Sequence, residues 1–320
     1  MKKLCEGFIK DMQVHNYSPT TIAKYAYCAR MFIAYLEGKG IEDIRKVGKE
    51  ELKSFNLSIV RNPKYSMPYV ASIVRAIKCF FKYLKKTGAI LYDFSIALRE
   101  PKKEATLPKE PLTPKEVKAL LDAPDLRTPM GLRDRAIMEM FYSTGIRVQE
   151  ASNLTLLDLD LDGGYLTVRL GKGRKDRVVP MGKHACSFIH EYLTNVRSIF
   201  LKNNKSEERT NRVWIGRLGN PLTKGDLIRV VRLYKSKVGI KKQVTPHSFR
   251  RTLAVELIRN ECDFLTVKSI LGHSKSETTL QYCALAGEEL KDALKRCHPR
   301  FNAQEGDIRP SITDIGTENE

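Results

Sequence analysis

Between Pro101 and Pro111 the chain reads Pro101-Lys102-Lys103-Glu104-Ala105-Thr106-Leu107-Pro108-Lys109-Glu110-Pro111, dense in proline and charge and without a hydrophobic period. No regular element runs through such a stretch, because each proline lacks an N–H and disfavours helical backbone in the residue before it. It reads as an extended linker. The 320-residue chain must therefore close one core on each side of it, as its length also favours. The expected organisation is a domain over 1–104, a linker over 105–112, a second domain over 113–298 and a tail over 299–320.

Residues 1 to about 99 carry helical patterns only. Ser18-Pro19 is an N-cap followed by proline at the first helical position, and Ile22, Tyr25, Ala29, Phe32 and Leu36 follow at three- and four-residue steps until Gly38 and Gly40 stop the helix. A shorter helix is expected over Lys49–Ile59. The next, over Pro68–Lys86, has an apolar stripe of Val70, Ile73, Val74, Ile77, Phe81 and Leu84. Arg75, Lys78, Lys82, Lys85 and Lys86 form a second stripe, roughly 130° away by the helical rotation. No acid lies within Ser66–Thr87 to pair with that row. It is either a solvated face or a face that contacts phosphates.

The whole chain has a formal charge of +19, which favours a polyanionic partner, nucleic acid before an anionic membrane. With 42% hydrophobic residues it can bury a proper core. No run of about 18 apolar residues is present to span a membrane, and Met1–Gly7 lacks the apolar centre of a signal peptide. The seven cysteines are scattered without a CxxC pair, and the histidines lack metal-ligand spacing. Reduced thiols in the cytoplasm and no metal site are expected. From Phe301 to Glu320 five acids face one base. That reads as a disordered acidic tail, leaving +23 on the rest of the chain.

The second domain opens on a capping box, Thr113-Pro114-Lys115-Glu116, leading into Val117, Leu120 and Leu121. A helix over Leu132–Tyr142 ends at Thr144-Gly145. Arg147 then stands at the start of the next helix, where backbone N–H groups favour an anion, with Glu150 one turn on to orient its guanidinium. A surface ion pair, worth little, is the alternative. Gly164–Leu170 and Asp176–Pro180 form a hairpin around Gly171-Lys172-Gly173-Arg174-Lys175. That basic turn is either a plain flexible tip or an arm delivering an ammonium into a groove. Helices are expected over Lys183–Lys202 and Lys224–Lys237, separated by Val213-Trp214-Ile215, with Trp214 in the core or a groove wall.

The last informative stretch runs from His247 to Tyr282. His247 and Arg250 are three apart and share a helical face. His273 follows the turn Leu271-Gly272, and Tyr282 follows nine residues later. Helices are expected over Asp263–Leu271, Ser276–Tyr282 and Ala286–Leu294. These four side chains could meet on one phosphate, with Arg as a fork of donors, His as proton carrier and Tyr as nucleophile. Two helices that happen to carry polar residues remain the other reading.

Taken in order, Thr144-Gly145-Ile146-Arg147-Val148-Gln149-Glu150, the Lys172 hairpin, His247-Ser248-Phe249-Arg250, Leu271-Gly272-His273 and Tyr282 resemble the motifs of the tyrosine recombinase, or phage integrase, family, closest to its Xer-like and integrase branch. The resemblance spans the whole chain. It implies a mainly α fold with a small β-sheet (α+β), with a helical SAM-like core-binding domain before a catalytic domain. It implies that Arg147 and Arg250 clamp the scissile phosphate, that Tyr282 attacks to form a 3′-phosphotyrosyl link, and that Lys172 protonates the leaving 5′ oxygen. His247 would then act as acid or base, His273 would hydrogen-bond the phosphate, and Glu150 would buttress the cations. Arg75, Lys78, Lys82, Lys85, Lys86, Arg174 and Lys175 would contact duplex DNA. No metal, nucleotide or other cofactor is implied. The implied assembly is a homo-tetramer on paired sites, or one with a heteromeric partner recombinase. Phe249 stands where Leu is frequent, Arg251-Thr252 where His-Thr is, and Cys283-Ala284-Leu285 follows Tyr282 where Thr-His is. Strand cleavage without exchange (a type IB topoisomerase or a resolvase) and a non-catalytic DNA-binding regulator are the competing functions.

Overall fold

The computed structural model describes residues 1–101, 109–169, 176–203 and 210–272. Lys172, Arg174, Lys175, His273 and Tyr282, the helices expected beyond His273, the acidic tail and the first half of the linker lie outside them. The chain divides into two units, Met1–Thr106 and Leu107–Glu320.

The first unit is built from α1 (Lys2–Val14), α2 (Pro19–Glu37), α3 (Lys49–Val60) and α4 (Met67–Lys86), with short 3-10 turns at Ile44–Lys46 and Ser95–Ala97. Ser18 caps α2 as its sequence predicts, accepting from the Thr21 N–H at 3.2 Å. All six residues of the apolar stripe expected on α4 are buried, and Phe80 joins them. The stripe carries the rings that seal the core: Phe81 lies 5.7 Å from Phe32, which meets Phe55 at 4.9 Å, and Phe80 lies 5.2 Å from Phe8. Tilted and edge-on rings at such spacings add to the energy of burial itself. Phe8 comes from α1, a helix beyond those expected from the sequence, which buries Cys5, Phe8 and Met12.

The second unit packs around α6 (Pro129–Thr144), buried along most of its length. This helix begins earlier than Leu132 because Thr128-Pro129 supplies a cap and a first-turn proline, the Thr128 hydroxyl accepting from the Gly131 N–H at 3.0 Å. Before it comes α5 (Pro114–Asp122), whose capping box forms as expected: the Thr113 hydroxyl accepts from Glu116 N–H at 3.2 Å and Glu116 accepts from Thr113 N–H at 2.7 Å. After it come α7 (Val148–Asn153) and a three-stranded antiparallel sheet, β1 (Leu159–Asp160), β2 (Tyr165–Val168) and β3 (Arg177–Pro180), in the order β1-β2-β3. β1 is an addition to the expected hairpin. Leu166, Val168 and Val179 point inward, and Arg177 pairs with Val168.

The helix expected over Lys183–Lys202 is broken into α8 (Lys183–Tyr192), a π turn over Leu193–Arg197 and α9 (Ser198–Lys202). The wide turn coincides with a buried polar anchor: Arg197 donates from its Nη2 to the Thr210 and Arg212 carbonyls, each at 2.8 Å. Just before it, the Tyr192 hydroxyl donates to Val213 O at 3.0 Å and accepts from Ile215 N–H at 2.9 Å, with its ring stacked on Trp214. Trp214 is therefore core. The unit continues through α10 (Lys224–Lys237), α11 (Pro246–Arg259) and α12 (Phe264–Leu271).

Candidate active site

Three segments far apart in sequence meet at the C-terminal end of α12. Arg250, on α11, is 1% exposed. Its Nη1 donates to Gly145 O at 2.6 Å and its Nη2 donates to Leu271 O. Arg147 stands just before α7, and its Nη2 donates to the next carbonyl, Gly272 O, at 2.9 Å. The two guanidiniums thus grip consecutive carbonyls at a helix C-terminus, where the partial negative charge favours cations.

Two glycines make the approach possible. Gly145 (φ +58°) and Gly272 (φ +60°) both sit in the left-handed region as helix C-caps. A Cβ on Gly145 would come within 2.9 Å of Leu253 Cδ2, and one on Gly272 within 2.7 Å of Arg177 Nε. A side chain at either position would be strained by the left-handed backbone and would crowd Leu253 or Arg177.

Glu150 closes the arrangement from below. Its side chain is only 9% exposed. It accepts from the Arg147 backbone N–H and from Arg147 Nη1, both at 2.8 Å. The expected orienting role of Glu150 toward Arg147 has its geometry here. Of the backbone N–H groups at this helix N-terminus, that of Arg147 is taken up by Glu150 itself. Burial pushes the Glu150 carboxyl upward, but hydrogen bonds and charge from Arg177 and Arg147 outweigh it and hold the pKa at about 2. It is ionised at any working pH.

His247 lies three residues before Arg250 on α11, and while Arg250 is buried it remains exposed to solvent. Crowding by protein atoms comes first, then the charges of Arg250, Arg251 and Arg147, in lowering its pKa below the ordinary imidazole value. That direction favours neutral imidazole, which can accept a proton at neutral pH.

Next to Arg250, the Arg251-Thr252 pair has a local explanation. Arg251 Nη1 donates to Glu110 O at 3.2 Å, and the Thr252 hydroxyl accepts from Leu112 N–H at 2.8 Å. Lys242 adds a bond to Pro111 O at 2.7 Å and an ion pair to Glu116 at 2.6 Å. The Arg251 and Thr252 contacts fasten the end of the linker to the helix carrying His247 and Arg250.

In the first unit, the cationic row of α4 faces solvent, Lys78 partly so. Two of its members have acidic partners from outside the helix: Arg75 lies 3.7 Å from Glu100, and Lys86 lies 3.3 Å from Asp11. Both acids come from segments outside Ser66–Thr87.

A model of the phage integrase family matches residues 110–289, and one of the phage integrase N-terminal SAM-like domain matches residues 4–89. The tyrosine recombinase XerD of Listeria monocytogenes serotype 4b (strain F2365) is 33% identical over 302 residues, covering 94% of this chain and 100% of that protein. The chain belongs to the phage integrase family of tyrosine recombinases. It is a site-specific recombinase of the Xer/integrase branch, an enzyme that cleaves and rejoins DNA strands. The tyrosine recombinase XerC of Natranaerobius thermophilus is 36% identical over 244 residues, covering 76% of this chain and 81% of that one. Among solved structures, XerH bound to a palindromic difH substrate superposes with a TM-score of 0.70 at 21% identity, over 92% of this chain and 83% of that one. A lambda integrase dimer bound to a core site superposes with a TM-score of 0.65 at 16% identity, over 90% and 96%. The mainly helical fold with a small sheet, a SAM-like unit and a catalytic unit is that of these recombinases. No described helix is long and apolar enough to cross a membrane.

Proposed function

We propose that this recombinase cuts DNA by direct attack of Tyr282 on the scissile phosphate, with Arg147 and Arg250 as the clamp that stabilises the pentavalent phosphorus. The observation carrying this reading is the grip of both guanidiniums on the consecutive carbonyls of Leu271 and Gly272, which fixes them side by side. A guanidinium has five donors in a planar fork, so one side chain can be fixed by backbone carbonyls and also bind phosphate oxygens. Charge that develops on those oxygens in the transition state meets donors that need no reorganisation. Each such donor is worth roughly 3 kcal/mol or more of barrier.

Attack by the Tyr282 oxygen forms the phosphotyrosyl bond, breaks the bond to the 5′ oxygen and leaves a 5′-hydroxyl. His247, with its pKa held low, accepts the tyrosine proton. Lys172 gives a proton to the leaving oxygen, and His273 hydrogen-bonds the phosphate. Religation reverses the steps, because the phosphotyrosine keeps the bond energy of the original diester. Neither a nucleotide nor a divalent metal has a step in that sequence.

The substrate is duplex DNA. The α4 row of Arg75, Lys78, Lys82, Lys85 and Lys86, together with Arg174 and Lys175, supplies phosphate contacts, so binding falls as salt rises. The working assembly is a tetramer on paired sites, of this chain alone or with a second recombinase. A cytoplasmic location fits the reduced thiols expected for its cysteines.

Trapping on a suicide substrate tests the nucleophile. The wild-type chain should form a covalent adduct that survives denaturing electrophoresis. Tyr282→Phe should form none while binding the same DNA with unchanged affinity. Adduct formation by the phenylalanine variant would overturn the assignment.

A further inference from the structure

Two guanidiniums hold Glu150, and the mechanism above uses only one. Arg177 is the first residue of β3, and its side chain is 15% exposed. Its Nη1 donates to Glu150 Oε1 at 3.1 Å and its Nη2 donates to Oε2 at 2.8 Å. Arg147 donates to the same two oxygens. On its other side Arg177 lies against Gly272, where the backbone leaves room for it only because there is no Cβ. Its Nε is buried there with no hydrogen-bond partner among the described residues.

The charge arithmetic gives this arrangement a use. A guanidinium paired with one carboxylate sums to zero, and a phosphate approaching it meets a dipole rather than a charge. Two guanidiniums around one carboxylate sum to +1. The difference matters most where water is excluded, since the effective dielectric is lower there. Bidentate contact also fixes the plane of the carboxylate, so Glu150 keeps its orientation whether or not Arg147 moves toward a substrate.

We propose that Arg177 is a positioning residue for strand cleavage: it neutralises and orients Glu150, so that Arg147 meets the scissile phosphate with its positive charge unspent. The proposal rests on the reading of Arg147 as a phosphate clamp. Sequence alone gave Arg177 no role, since it appeared only as part of the return strand of the hairpin.

The test is single-turnover cleavage by the full-length protein on two matched suicide substrates, one with an ordinary phosphodiester and one with a neutral methylphosphonate at the scissile position. On the ordinary substrate Arg177→Gln should cleave about tenfold to a hundredfold more slowly, with little change in DNA affinity. On the neutral substrate the deficit should shrink to less than about fivefold, because less charge there depends on Arg147. Adding Glu150→Gln to Arg177→Gln returns the trio to +1 and should recover about tenfold on the ordinary substrate. A merely structural Arg177 would lose the same factor on both substrates and fare no better in the double variant, and that result overturns the proposal. If Arg147→Ala itself loses equally on both substrates, the clamp reading falls, and this inference with it. Should Arg177→Gln fail to unfold cooperatively, Arg177→Lys takes its place. It keeps the charge without the fork and should stay within about tenfold of wild type; a loss as large as that of Arg147→Ala would overturn the proposal.

Discussion

The two units of this recombinase treat charge in opposite ways. In the first, the buried polar residues among those described are Ser72 and Ser95, and the cations stand on the surface of α4. In the second, Arg133, Asp134, Glu139, Asp158, Arg197 and Arg250 are all buried. On the proposed reading, the first unit contacts DNA from outside and can rely on an apolar core while it displays its charge. On the same reading the second unit acts on a phosphate and must hold cations in fixed positions, which requires partners for each of them inside the fold. Those partners are supplied: Arg133 Nη2 meets Asp134 at 2.6 Å, Asp134 accepts from the Tyr234 hydroxyl at 3.0 Å, and Arg135 Nε meets Glu139 at 2.8 Å. Removing one partner should therefore hurt the second unit in a way with no counterpart in the first.

The largest expected effect follows from Arg250. Arg250→Met removes a buried fork and leaves the Gly145 and Leu271 carbonyls without it, at a cost of about 1–3 kcal/mol for each orphaned group. It should also bring cleavage to background. Thermal unfolding of the full chain should show the catalytic transition lowered and that of the N-terminal unit unmoved. A methionine variant as stable as wild type would mean that Arg250 is not held as its contacts indicate.

A second, smaller effect is set by pH. The Glu150 pKa falls from an ordinary 4.5 to about 2 on folding. A depressed carboxyl contributes stability that is present above its unfolded value and disappears as pH falls through the folded one. The contribution is about 3 kcal/mol. The gap in melting temperature between wild type and Glu150→Gln should be full above about pH 5 and should close between that value and about pH 2. A gap that stayed constant across the range would show that the glutamate acts through its shape and not its charge.

How much was legible in the sequence follows the same division. The α4 stripe, the Ser18 and Thr113 caps and the Lys224–Lys237 helix were readable because each depends on residues within a turn or two of one another. Arg147, Glu150, His247 and Arg250 were readable as candidates, by motif and spacing. Their surroundings were not. That Arg250 donates to a carbonyl 105 residues away, or that Arg177 shares Glu150 with Arg147, depends on how separate elements pack, which no local pattern encodes. The signal that came closest was the pair of helix-ending glycines. Thr144-Gly145 and Leu271-Gly272 mark left-handed C-caps, and both cap carbonyl regions turned out to be where the arginines attach. The π turn at Leu193–Arg197 had no signal at all, since its residues continue a helical pattern.

The smallest effect concerns the cationic row, and it separates display from burial most directly. Replacing Arg75, Lys78 and Lys82 with Ala should leave folding almost unchanged, because exposed ion pairs such as Arg75–Glu100 contribute about 0–1 kcal/mol. The slope of log affinity against log salt should fall by about 2 to 3, roughly one per phosphate contact removed. Asp11→Asn is the finer probe. It frees Lys86 from its ion pair at 3.3 Å without touching α4, and so adds a cation to the row instead of removing one. Stability should change by less than about 1 kcal/mol, while DNA binding at low salt tightens and its salt slope steepens. If the triple variant bound as wild type does and Asp11→Asn changed nothing, the row would be a solvated face, and the first unit would have to engage DNA through another surface.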